Sequence, residues 1–169
     1  IIKDFEIKVQ QNVKTWKGNL KILNKKIDPD NIIKILKENK FLDEIDLFSL
    51  DIDGIDYWIL KELPIGFCKI LIVEYNPYFG SEFKITVPNI KDFNRTKYHY
   101  SNLCFGASLP AIIDLLKEKG LSFIGTNLFR NNAFFVKSDF IPMLNLEKIN
   151  SDKDLDFHVD ANFRESRDL

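Results

Sequence analysis

Acidic side chains close an apolar run in "DLFSLDIDGIDYWILKEL", Asp46 to Leu63, where Asp51, Asp53 and Asp56 fall between a strand-like stretch and a helix-like one. A second apolar run, "FCKILIVEYN", ends in Glu74 and Asn76. Asp51 and Asp53 are two residues apart, as are Glu74 and Asn76, so on extended backbone each pair leaves on one face. Hard oxygen donors at neighbouring strand ends suit Mg²⁺ or Ca²⁺, with Asp53, Glu74 and Asn76 as the expected ligands. A cation held there would orient a substrate hydroxyl and lower its pKa. Without one, Asp53 or Glu74 would act as general base. Tyr75, Asn76 and Tyr78, beside the same end, are candidate substrate contacts. The plain alternative is a solvated turn, in which Asp53-Gly54 bends the chain, Asp56 caps the next helix and Glu74 pairs with Lys69 or Lys84. Carboxylates at the ends of buried strands are costly unless hydrogen-bonded or charge-paired, which favours the functional reading.

The chain that must position these groups has the composition of one folded domain. Its 169 residues are 45% hydrophobic and 13% aromatic, enough for a real core. With 24 basic and 25 acidic residues the net charge is -1, which offers no footprint for a polyanion and argues against nucleic acid as the main partner. No apolar run reaches the roughly 20 residues of a membrane span and no secretory leader opens the chain, so a cytoplasmic location is expected. Cys68 and Cys104 have no pattern of partners and are expected to be reduced packing residues. His99 and His158 are too few and too scattered for a histidine-based metal cluster. Residue 1 is Ile, not Met, which leaves open a start after a cleavage, a truncation, or a segment that precedes this sequence.

Ile2, Phe5, Val9, Val13 and Trp16 recur at helical spacing and predict a helix ending near Gly18. "NLKILNKKI" alternates like an edge strand. "DPDNIIKILKENKF" predicts a helix capped by Asp28, with Pro29 in its first turn and Ile32, Ile33, Leu36 and Phe41 as the buried stripe. Strands are predicted over Ile45 to Asp53, buried on both faces, and over Phe67 to Asn76, joined by the helix "DYWILKEL". This is a βαβ pattern, and open parallel sheets bind ligands at that carboxyl edge. Pro77 to Gly106 is long, aromatic and aperiodic, with one short strand candidate, "EFKITV"; it is a candidate lid. Ser108 caps "LPAIIDLLKEKG", which Gly120 stops. "LSFIGTNLF" and "NAFFVKSDF" predict an antiparallel hairpin turning at Arg130-Asn131. Residues 1–140 make the α/β domain and 141–169 a polar C-terminal arm, expected to be extended or partly disordered.

Four stretches, "IDLFSLDIDGIDYWI", "ILIVEYNPYFG", "FGASLPAIIDLLKEKG" and "NNAFFVKSDF", together with "FRESRD" in the tail, resemble FkbM-type, class I S-adenosylmethionine-dependent methyltransferase-like proteins of bacterial surface-polysaccharide loci. "DIDG" and "EYNP" carry most of the likeness, which extends from about Leu20 onward. The resemblance implies a Rossmann-like α/β sheet, mostly parallel with a C-terminal antiparallel hairpin. It also implies S-adenosylmethionine as cofactor, with Asp51 and Asp28 on the cofactor side, and methyl transfer to a hydroxyl of a glycan precursor or other small molecule. The family's glycine-rich turn after the first strand and acidic end of the second are not found, so the sheet is expected to lack its first strands. The other class of function left open is a catalytically silent remnant serving as an interaction or homo-oligomerisation module. "SLDIDGI" also resembles the start of haloacid-dehalogenase phosphatases, with Asp51 as nucleophile and Asp53 as acid/base; Ile55 after the glycine departs from that pattern.

Overall fold

The computed structural model describes residues 21–41 and 45–144. The helix expected over residues 2–18 and all but the first residues of the polar arm lie outside them. In chain order the helices and strands are α1 (Ile32–Glu38), β1 (Ile45–Leu50), α2 (Asp56–Glu62), β2 (Cys68–Glu74), α3 (Arg95–Tyr98), α4 (Leu109–Glu118), β3 (Leu121–Thr126) and β4 (Asn132–Lys137). Short 3-10 turns follow β2 (Pro77–Phe79) and β4 (Ser138–Met143).

One mixed sheet of order β1-β2-β4-β3 carries the fold. β1 and β2 are parallel, with Leu47 opposite Ile70 and Leu50 opposite Val73. β4 returns from β3 through the loop at Asn127 to Asn131 and inserts between β3 and β2, so both of its pairings are antiparallel. Of the expected sheet, mostly parallel with a C-terminal antiparallel hairpin, the described residues hold one parallel pair and the hairpin. A β-bulge falls in β3 between Phe123 and Gly125, and its extra residue turns the strand locally.

Alternation along the strands sorts the core onto one face. Leu50, Leu71, Val73, Tyr75, Ala133 and Phe135 join Ile59 and Leu60 of α2 and Leu109, Ile112 and Leu116 of α4 in a single buried cluster. On the opposite face Leu47 and its partner Ile70 are 55% and 42% exposed. β1 was expected to be buried on both faces. Among the described residues it is an edge strand, with Asp46, Leu47 and Ser49 exposed, because no further strand lies beyond it.

Helix ends follow their local chemistry. Ser108 Oγ accepts from Ala111 N at the start of α4, and Gly120 leaves its end at φ 75°, a conformation costly for a residue with a Cβ. Lys119 Nζ donates to the Lys61 and Leu63 carbonyls at the end of α2, meeting acceptors that the helix itself leaves open. α1 differs from expectation: it begins after Asn31, not Asp28, and Asp28 belongs to the turn before it, its carbonyl receiving Asn31 N and Ile32 N and its own N donating to Asn31 Oδ1. Its buried residues are Ile32, Ile35 and Leu36, and Phe41 is 51% exposed. Residues 21–27 form no strand, having no strand beside them to complete a ladder among the described residues. "EFKITV" is reduced to one bridge between Thr86 and Ala107.

The two faces of the sheet give contrasting expectations. Leu71→Ala removes a side chain with no exposed surface and should cost about 2–5 kcal/mol in urea unfolding. Leu47→Ala, on the open face, should cost less than about 1 kcal/mol. Equal losses would mean that the open face is covered.

Candidate functional site

The strand-end carboxylates are set by a turn, not by the pleat. β1 stops at Leu50, so Asp51 and Asp53 lie in the following loop. Asp56, at the first position of α2 and fully buried, accepts from Ile52 N at 3.0 Å and Gly54 N at 3.1 Å. It therefore clamps the loop that precedes its helix, a wider role than the cap read from sequence. Burial raises the pKa of the Asp56 carboxyl, its backbone hydrogen bonds oppose the rise, and the nearby charge of Asp51 adds to it. Asp53 takes a left-handed conformation, φ 55°. Gly54 is required by closeness: a Cβ there would lie 2.9 Å from the Phe93 ring.

Parallel pairing brings the end of β2 beside this loop. One oxygen each from Asp51, Asp53 and Glu74 lies within 4.8 Å of the others. Glu74 is 8% exposed, and its Oε2 has no hydrogen-bond partner. Burial, followed by the charges of Asp51, Asp56 and Asp53, pushes its carboxyl up to about 8, against a smaller opposing effect of Arg95. The lysines considered as its partners pair elsewhere, Lys69 with Asp46 at 2.7 Å and Lys84 with Asp114 at 2.8 Å. Asp53 is paired with Arg95, Nη1 to Oδ1 at 2.5 Å. That guanidinium also lies over the Phe105 ring, 5.2 Å from its centre, in the range of a cation–π contact.

Asn76, named above as a ligand and a substrate contact, has its amide committed to the backbone. It is fully buried: its Nδ2 donates to the Leu103 and Phe105 carbonyls, and its Oδ1 accepts from Tyr78 N. Tyr75 is likewise fully buried, on the core face of the sheet; burial raises its hydroxyl to about 12, and it cannot meet a substrate. Tyr78, 38% exposed, remains available beside the strand end. The candidate lid is stitched down. Trp58 Nε1 donates to the Val87 carbonyl at 2.7 Å, Gly106 N to the Gly54 carbonyl at 2.7 Å, and Asn76 N to the Ala107 carbonyl at 2.8 Å.

Asp28 lies apart from the carboxylate cluster. It lines a cavity of about 450 Å³ with Lys26, Ile52, Gly54, Asn89 and Phe93, and its Oδ1 is buried without a hydrogen-bond partner. The loop carrying Asp53 forms one wall of this cavity, so cavity and cluster share the carboxyl end of β1. An ion pair from Lys26 to Asp92 links two of its walls. Comparison with protein-family models, with curated proteins and with solved structures found no match to this chain.

Two contributors went unread in the sequence. Arg95 is one, and its only local signal is Asn94, whose Oδ1 accepts from Thr96 N and Lys97 N to start α3. The clamp of Asp56 is the other. The titration of Glu74 has a definite sign. Its folded-state value, about 8, is above its ordinary 4.5, so the folded chain binds more protons between the two. The stability it contributes is full below the ordinary carboxylate range and is lost as pH rises through about 8. Glu74→Gln, which keeps the protonated shape, should flatten that decline and raise Tm near pH 8.5 by on the order of a few degrees. Parallel melting profiles for the two proteins across that range would show that Glu74 is not buried as described.

Proposed function

We propose that this chain is a methyltransferase-like α/β protein acting on a hydroxyl of a sugar or related small molecule, with S-adenosylmethionine as methyl donor. The observation that carries the reading is the joining of the Asp51–Asp53–Glu74 cluster and the Asp28 cavity at the carboxyl end of one parallel strand pair, where open α/β sheets bind their ligands. A parallel pair followed by an antiparallel hairpin is also what the resemblance implies for the second half of the family's sheet.

The residues at the cavity suit the adenosine end of the cofactor. The orphan Asp28 Oδ1 can accept from an exocyclic amine, and Ile52 and Phe93 offer apolar faces to a flat ring. When bound, the cofactor would supply an electrophilic methyl group on sulfur. The chain's own part is to hold and deprotonate the acceptor. Glu74, raised to about 8, would take the hydroxyl proton near neutral pH, where a base of that strength is effective. Asp53, turned toward Arg95, would position the acceptor by hydrogen bonding, and Tyr78 would border its entrance. The setting expected for such a reaction is the cytoplasm; no helix among the described residues is long and apolar enough to cross a membrane.

A second reading, a silent interaction module, draws on one observation: the outer edge of β1 has no strand beside it among the described residues, and such an edge can pair with another chain. Titration calorimetry of the chain with S-adenosylmethionine separates the two. Binding is expected, and Asp28→Ala should weaken it by about tenfold, the worth of a hydrogen bond to a charged group. No heat with millimolar cofactor, together with a dimer in light scattering, would transfer the assignment to the interaction module.

A further inference from the structure

The carboxylate cluster has a feature that methyl transfer does not explain. Three acidic side chains converge, yet among the described residues Arg95 is the cation paired within the cluster, and it reaches only Asp53. Glu74 is buried to 8% exposure, with Oε2 lacking any donor. A buried carboxylate oxygen without a donor is costly unless something positive meets it. We infer that Asp51, Asp53 and Glu74 form a binding site for a hard divalent cation of the Mg²⁺ or Mn²⁺ class, and that Arg95 competes with the ion for Asp53.

The donor set selects the ion. All three donors are carboxylate oxygens, with no nitrogen or sulfur to favour zinc or copper. Three protein oxygens leave positions for water or for oxygens of a ligand, the arrangement Mg²⁺ accepts readily and that Ca²⁺, with its six to eight ligands, fills less well. Asp51 and Asp53 are exposed and Glu74 is buried, so the site is open on one side and anchored on the other. Arg95 comes from α3, in the long segment between β2 and α4. Its Nη1 holds Asp53 Oδ1 from that side, and an ion entering the cluster must draw Asp53 away from it. Cation capture stands on these side chains, whatever group the protein transfers; with the ion bound, Glu74 is an ionised ligand, and the role of base given to it above belongs to the metal-free chain.

The test uses the full chain and Mn²⁺ alone, with no methyl donor. Free Mn²⁺ is followed by its electron paramagnetic resonance signal, and the fold of each variant by circular dichroism. One ion per chain is expected. Asp51→Asn, at an exposed position, should weaken binding about tenfold or more. Arg95→Met should tighten it several-fold by removing the competing charge. Absence of binding up to ~10 mM Mn²⁺, beyond the weakest ordinary carboxylate sites, would overturn the site. Binding unchanged by Asp51→Asn would also overturn it, and affinity unchanged by Arg95→Met would overturn the competition.

Discussion

Two hydrogen bonds from backbone to a buried carboxylate hold the carboxyl end of the parallel strand pair together. Asp56 accepts from Ile52 N and Gly54 N, and so fixes the loop between β1 and α2. The loop in turn places Asp51 and Asp53 next to Glu74, and its Gly54 admits Phe93 from the long segment after β2. Buried carboxylates are tolerated when their oxygens are met by donors, and Asp56 is met by two. Glu74, a short distance away, is the opposite case. The contrast is between an acid met by backbone donors and one whose Oε2 has none.

Electrostatics at the strand ends follows from that arrangement. Burial raises the carboxyls of both Asp56 and Glu74, and the charge of Asp51 adds to each, joined at Glu74 by Asp56 and Asp53. Arg95 offsets part of the crowding through Asp53. A perturbed acid in a cleft is a recognised sign of a reacting group. Here the perturbation is local and has named sources, so each can be removed singly.

The fold was legible wherever periodicity and punctuation agreed. Ser108 and Gly120 bracket α4 at the expected residues, and the two apolar runs became a parallel pair. What failed depended on neighbours distant in sequence. Alternation in "NLKILNKKI" describes a surface, but a strand also needs a ladder partner, and residues 21–27 have none among those described. Asn31, not Asp28, precedes α1, and the carbonyl and amide of Asp28 both serve the turn before it. At the site, Asp51, Asp53 and Glu74 were named from the letters. Counting by twos also named Asn76, which faces the strand end but is buried and bonded to the segment that crosses it. Tyr75 was misplaced for a related reason: adjacency to the end of a strand does not choose its face, and the pleat turns Tyr75 to the core. Arg95 reaches Asp53 across 42 positions of sequence, and no periodicity carries such a contact.

The state of one carboxyl group, that of Glu74, decides whether the three carboxylates converge. Carbon-13 NMR of the Glu74 side-chain carboxyl, assigned by comparison with Glu74→Gln, should show it titrating near 8 and moving higher when Arg95 is replaced by Met. A midpoint in the ordinary glutamate range, about 4.3, would mean that Glu74 is solvated and the three carboxylates do not converge.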